Sequence, residues 1–389
     1  MDYMIDKLIR LFKYFLSIYF INDIHLLFKY FLIPKGKKKI VYIIPGTGLS
    51  GGIAVIVQHA NKLIKRGYKV ILLSTDGSIN INWIKCDAPI FPYSSKLKFL
   101  FKNPDLLIAT AWSTVEFLDK IPSKRKLYFV QSDERRFFKE DEKEWIKKVE
   151  KTYKKDCEFF TMAKWIQKWL KEEFNKDSYY VPNGIDLNCF YKVKSIERKN
   201  KPFRILLEGP TSLWFKGMDD AYEATRGLDS EIWMVSALGK PKDEWKIDKF
   251  FEHVQIDQMK SIYSSCDFLL KMSRVESFSS PPLEAMACGC IPIITNYTGY
   301  TEYLVNEKNG LVVDIGDTES ARKAIIRLMK DKKLRKYLLK NGSTTVKKWS
   351  WDRSIDYLED VISGGRIKKY YTEDDFYSYA KQRKVIYSK

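Results

Sequence analysis

Arg274-Val275-Glu276-Ser277-Phe278-Ser279-Ser280-Pro281-Pro282-Leu283-Glu284-Ala285-Met286-Ala287-Cys288-Gly289 is the stretch that decides the fold. Seven residues separate Glu276 from Glu284, and an apolar run, Phe268-Leu269-Leu270-Lys271-Met272, precedes them. That run has the composition of a buried strand. The proline pair suits the first turn of a helix, where the missing amide costs nothing, and Gly289 suits its end. The pattern predicts a strand, a loop carrying Glu276, and a short helix with Glu284 in its opening turn. Both carboxylates then face one cleft at the carboxyl end of a parallel strand, where open α/β sheets bind ligands. A carboxylate accepts two hydrogen bonds at once, which suits a sugar or ribose diol. Two solvated acids near a helix start, favoured there by the helix dipole, are the plainer alternative.

Working outward, the chain reads as two α/β halves. Lys39-Ile40-Val41-Tyr42-Ile43-Ile44-Pro45 is a strand that runs into Gly46-Thr47-Gly48-Leu49-Ser50-Gly51-Gly52. A helix-period segment and a second strand, Val70-Ile71-Leu72-Leu73, complete a βαβ unit with a glycine-rich first turn. Gly46-x-Gly48-x-x-Gly51 matches the dinucleotide fingerprint, with Asp76 as the acid after the second strand, so an NAD(P)-dependent oxidoreductase is an alternative reading. Further strands are expected at 106–110 and 127–131, and a helix at 161–174. Asn183-Gly184 makes a sharp turn, and a Lys-rich stretch, Lys192 to Lys201, reads as an exposed linker. Phe203-Arg204-Ile205-Leu206-Leu207-Glu208-Gly209 opens a second sheet, and Phe215-Lys216-Gly217-Met218-Asp219 opens the helix after it. The strand Ile291-Pro292-Ile293-Ile294 leads into Thr295-Asn296-Tyr297-Thr298-Gly299-Tyr300-Thr301-Glu302.

The run 274–289, with the Pro-Asn-Gly-Ile-Asp element at 182–186 and Lys216-Gly217, resembles glycosyltransferase family 4. The resemblance covers roughly residues 40–360 and is densest over 267–315. It implies two facing Rossmann-like domains with an interdomain cleft (GT-B), and transfer of a sugar from a nucleoside-diphosphate sugar to an acceptor hydroxyl with retention. It assigns Glu276 to the sugar hydroxyls, Glu284 to the ribose, and Lys216 to the diphosphate. It also places the Gly299, Tyr300 and Thr301 amides on phosphate and sets Gly51-Gly52 against donor phosphates or acceptor. No cofactor and no metal are implied, and the sequence has no Asp-x-Asp element. Two departures stand out. Pro210 occupies the place of the family's phosphate-binding Arg, so Arg274 or Lys271 is a candidate replacement. After the strand at 127–131 the family places a His; here Gln131-Ser132-Asp133 follows, and Asp133 or Gln131 is the candidate to position the acceptor. These gaps keep a non-catalytic glycan- or lipid-binding protein as a further alternative. Tyr128-Phe129-Val130-Gln131 also resembles bacterial rhamnosyltransferases of surface glycan assembly.

A chain of 389 residues suggests two domains. The boundaries read as an amphipathic helical extension over 1–38, an acceptor domain over 39–186, a donor domain over 187–360 and a returning tail over 361–389. The net charge of +19 implies an acidic partner, and no nucleic-acid-binding module is visible. In the extension, Leu-Phe-Lys-Tyr-Phe-Leu occurs at 11–16 and again at 27–32. The longest uncharged run there, Tyr14 to Asn22, is too short to span a bilayer. Aromatic rings and lysines on a short apolar helix suit an anionic membrane surface. A peripheral protein on the cytoplasmic face, acting on a glycan or lipid-linked acceptor in surface polysaccharide or glycolipid synthesis, is the resulting expectation. The six cysteines form no Cys-x-x-Cys pair and three histidines are present, so neither a disulfide framework nor a zinc site is expected.

Overall fold

The computed structural model describes Tyr30, residues 36–94 and residues 100–372. The amphipathic helix expected over 1–38 lies almost wholly outside the described residues, as does the tail after Thr372. Among the described residues no helix is long and apolar enough to cross a membrane.

Two sheets organise the chain. The first has seven strands: β1 (Lys39–Ile44), β2 (Lys69–Ser74), β3 (Ile90–Pro92), β4 (Leu106–Ala109), β5 (Arg125–Val130), β6 (Glu158–Thr161) and β7 (Ser178–Tyr180). Their order is β3-β2-β1-β4-β5-β6-β7. The second has six: β8 (Phe203–Glu208), β9 (Ser230–Ser236), β10 (Lys249–Glu252), β11 (Phe268–Lys271), β12 (Ile291–Thr295) and β13 (Leu311–Val313), in the order β10-β9-β8-β11-β12-β13. Pairing in the second sheet is parallel throughout. The strands are near-continuous apolar runs because helices cover both faces of such sheets. Two doubly wound α/β sheets were expected, and two are present.

The chain divides into two compact units, Met1–Phe129 and Val130–Lys389. The first contains β1 to β4 with helices α1 (Gly51–Lys65) and α2 (Phe117–Lys120). Its centre is the run Ile40 to Ile44, which has no solvent exposure. The second contains α3 (Lys143–Tyr153), α4 (Lys164–Phe174) and the whole second sheet. Around that sheet lie α5 (Met218–Thr225), α6 (Met259–Ser265), α7 (Ser280–Ala287), α8 (Thr318–Lys330), α9 (Lys332–Val346) and α10 (Trp351–Ser363). Ile205, Leu207, Met234, Phe268, Leu270, Ile293 and Ile325 form its buried core. After α10 the chain returns to α4 and β7. The Gln167 amide donates to the Lys368 carbonyl at 2.8 Å, the Tyr370 amide donates to Gln167 at 2.8 Å, and the Tyr370 ring packs on Tyr180.

The strand order of the second sheet reverses between β8 and β11, which makes their carboxyl ends the ligand-binding crevice of this architecture. Leu207 pairs with Leu270, so the next residues, Glu208 and Lys271, leave the sheet side by side. The amino ends of the same two strands are locked by different charges. Arg204 has no solvent exposure, donates to Glu231 at 2.7 Å and to the Ser265 carbonyl at 3.1 Å, and lies over the Trp233 ring. Asp267 accepts from the Arg204 amide at 2.8 Å and from Lys199 at 2.6 Å. Removing one partner of a buried pair leaves the other charge uncompensated. Arg204→Met is therefore expected to lower stability by about 3–5 kcal/mol, read as a fall in the urea unfolding midpoint; an unchanged midpoint would show that Glu231 finds another partner.

Candidate active site at the carboxyl ends of β8 and β11

Glu208-Gly209-Pro210 leaves β8 and reaches a single helical turn, Trp214–Lys216. Gly217 then starts α5 with φ +62°. A Cβ there would collide with the Met272 carbonyl, so only glycine lets this turn lie against the exit of β11. The Arg274 amide donates to the Phe215 carbonyl at 2.7 Å and fastens the two loops together. The Lys216 ammonium consequently donates to Glu276 Oε1 at 2.8 Å. Ser273 donates to the same oxygen at 3.0 Å. Lys271, the last residue of β11, is 2% exposed and sits 2.6 Å from Glu208 Oε2 and 3.3 Å from Glu276 Oε1. Two carboxylates and two ammonium groups thus share the crevice.

Burial alone would raise the Glu276 carboxyl, but the Lys216 and Lys271 charges outweigh it and bring its pKa down to about 2. Burial works against the Lys271 charge in the same way, and the Glu208 and Glu276 carboxylates reverse that, so its ammonium ends above the ordinary lysine value. Glu284 behaves oppositely. Burial and then the Glu208 charge push it up to about 8, against the Tyr263 hydroxyl, which donates to it at 3.1 Å, and against Lys271. The crevice therefore pushes the pKa values of the two glutamates in opposite directions, a separation that marks functional sites.

Glu284 is the fifth residue of α7, one turn later than the expected opening turn; Pro281 and Pro282 occupy the first turn as expected. Ser279, at the N-cap position of that helix but with no side-chain capping bond, has φ +60°, a strained conformation for a non-glycine residue between the two glutamates. Gly299 has φ +85°, and a Cβ there would collide with the Ser277 carbonyl, which also accepts from the Trp165 indole at 2.9 Å. Tyr300 begins a three-residue helical turn, with its amide donating to Tyr297 at 3.4 Å, and Thr301 is exposed. That turn is fixed by Glu302, which accepts from the Lys164 amide at 2.6 Å and from the Tyr180 hydroxyl at 2.7 Å.

Other expected residues are placed differently. The Arg274 guanidinium pairs with Asp220 of α5, not with the Glu276 cluster. Asp133 caps the turn Glu134–Phe137 and accepts from the Arg135 side chain at 2.8 and 3.0 Å; Arg135 in turn holds Glu173 at 2.8 Å. Gly51 and Gly52 belong to the other compact unit and open α1, whose Ser50 cap accepts from the Ile53 amide at 3.2 Å. Asp76 sits against Gly46 and accepts from the Ser78 amide at 2.9 Å and hydroxyl at 2.6 Å. Sequence reasoning gave no role to Glu208 or Tyr263. A charged residue closing an apolar strand was the available signal for Glu208; Tyr263 reads as core beside Ile262. A cavity of about 450 Å³ lined by Glu223, Arg226 and Arg322 contains none of these groups.

Residues 247–345 match the family model of glycosyl transferases group 1. The match takes in Lys271, Glu276, Glu284 and the 299–301 turn. An uncharacterized glycosyltransferase of Methanocaldococcus jannaschii is 24% identical over 202 residues, which are 50% of this chain and 56% of that protein. The chain thus spans about half the length of the curated relatives it matches. Sucrose-phosphate synthase from Thermosynechococcus elongatus superposes with a TM-score of 0.70 at 16% identity, over 84% of this chain and 99% of that one. HepE from Anabaena, in complex with UDP-glucose, gives 0.68 at 14% identity, over 84% and 100%. At these identities the likeness establishes the fold alone, two parallel α/β sheets of the GT-B type. Nothing in these likenesses supports the NAD(P)-dependent reading, and Asp76 is committed to its own loop.

The raised Glu284 pKa has a consequence for stability. An acid whose folded pKa lies above its ordinary 4.5 favours folding while protonated, and the benefit is lost as pH rises toward 8. Glu284 keeps an edge in solvent, so the effect falls well short of the full shift. Glu284→Gln is expected to leave stability unchanged at pH 5 and to raise it by about 1–2 kcal/mol at pH 8, measured by chemical unfolding. An equal change at both values would contradict the assignment.

Proposed function

We propose that the chain is a glycosyltransferase that moves a sugar from a nucleoside-diphosphate sugar to an acceptor hydroxyl with retention, in the manner of family 4. The observation that carries this is the Lys216–Glu276–Lys271 cluster at the switch point of the second sheet, inside or beside the matched 247–345 region. As the glycosidic bond breaks, negative charge builds on the departing nucleoside diphosphate. Lys216, mounted on a turn fixed by Gly217, is placed to neutralise it. Glu276 accepts from the sugar hydroxyls, Glu284 from the ribose, and the Gly299–Thr301 turn brings amides to phosphate. Arg274 serves the site by fastening its loop to α5 through Asp220, and Asp133 by orienting Arg135 and the turn after it.

The UDP-glucose bound by the fold relative HepE supports a nucleotide sugar as the donor class. In this reading no metal is invoked, since lysine side chains supply the positive charge. The basic, aromatic segment 1–38 supports a lipid-linked or surface-glycan acceptor met at the cytoplasmic face of a membrane.

Calorimetry with UDP, GDP, dTDP and ADP is expected to find one nucleoside diphosphate that binds the native chain, with affinity about tenfold or more weaker in Glu284→Ala. Glu276→Ala is expected to keep nucleotide binding while turnover falls about 10²–10³-fold, the scale set by losing one transition-state contact. Native behaviour in both variants would reject the assignment.

A further inference from the structure

Lys271 is the least expected group in the crevice. It is 2% exposed, and it occupies the end of a strand whose other residues, Phe268, Leu269 and Leu270, are apolar and fully buried. An ammonium group is costly there unless it is closely paired. Lys271 is paired twice, with Glu208 at 2.6 Å on the adjacent strand and with Glu276 at 3.3 Å. The contacts made to Glu276 by Lys216, Lys271 and Ser273 all fall on Oε1. The other oxygen, Oε2, accepts from none of the three.

We infer that Lys271 is a positioning residue for sugar transfer: held by Glu208 within the sheet, it clamps one oxygen of Glu276 and leaves the other for the donor sugar. The inference rests on the transferase reading for the identity of the sugar, and on the geometry alone for the clamp. Lys216, Lys271 and Ser273 contact Glu276, and the hydroxyls of Tyr297 and Tyr303 feel its charge. Glu208 and, further off, Glu284 act on Lys271. The Glu208 charge also reaches Glu284, and Lys271 joins Glu208 to Glu276. Loss of the Lys271 charge therefore reaches Glu276 directly.

The test uses the full chain as wild type, Lys271→Met, Lys271→Arg and the double variant Lys271→Met/Glu208→Gln, which removes both charges and protects the fold. Carboxyl ¹³C NMR follows the Glu276 titration, assigned by its disappearance in Glu276→Gln. In parallel, calorimetry compares UDP with UDP-glucose. Glu276 is expected to titrate about one pH unit or more higher in Lys271→Met and in the double variant, and near its native value in Lys271→Arg. The extra affinity for UDP-glucose over UDP is expected to fall about tenfold, with UDP itself held to within about threefold. An unmoved Glu276 titration, or equal weakening of UDP and UDP-glucose, overturns the inference. If neither nucleotide binds the wild type while Glu276 still shifts, the clamp stands and uridine is excluded as the donor base; the donor reading itself fails only when GDP, dTDP and ADP do not bind either.

Discussion

Everything at the carboxyl ends of β8 and β11 depends on how one buried ammonium group is neutralised. The Lys271 charge can stay in the sheet only because Glu208 and Glu276 lie on either side of it. Burying an unpaired ion costs several kcal/mol, so the three groups form a single unit rather than three independent side chains. Lys216 then completes the balance at the solvent side, and Glu276 is held ionised by two cations. Glu284 is held toward its neutral form by burial and then by the Glu208 charge, which outweigh Tyr263 and Lys271. One register relation, Leu207 opposite Leu270, thus sets Glu208 beside Lys271 at the centre of the crevice.

The same strands carry two sets of charges with different tasks. At the amino ends, Arg204, Glu231, Asp267 and Lys199 satisfy one another and tie β8, β9 and β11 into one sheet. At the carboxyl ends, Lys216, Glu208 and Glu276 each keep a partly exposed edge, while Lys271 is buried among them. The strained Ser279 and the colliding positions at Gly217 and Gly299 show the backbone bent to bring loops within contact of that end. Strain of this kind persists where surrounding packing enforces it, and it concentrates at functional sites.

Much of this was legible in the sequence. Apolar runs located β1, β2, β4, β5, β8, β11 and β12 to within a residue or two, and the proline pair located α7, because burial and proline geometry are local constraints. The Glu276–Glu284 spacing and Lys216-Gly217 pointed, for the same reason, at segments that the structure brings to the carboxyl ends of β8 and β11. Partners were not legible. Glu208 meets Lys271 across 63 residues and Arg274 meets Asp220 across 54, and no local pattern encodes such pairings. The result is that Arg274, a candidate phosphate cation by sequence, is engaged by α5, while Lys271 holds the central place. Asp133 likewise looked available until Arg135 was seen to occupy it. The glycine fingerprint fits two readings, because a glycine-rich turn before a helix is a local feature that does not name its ligand; a Cβ at Gly48 or Gly51 would meet nothing within 4 Å, so the fold itself does not demand glycine there.

The most direct test of the account is a crystal structure of the full chain grown with UDP-glucose. The account predicts the diphosphate against Lys216, a sugar hydroxyl within hydrogen-bond reach of Glu276, and the ribose diol on Glu284. A nucleotide sugar seated away from both glutamates would contradict it.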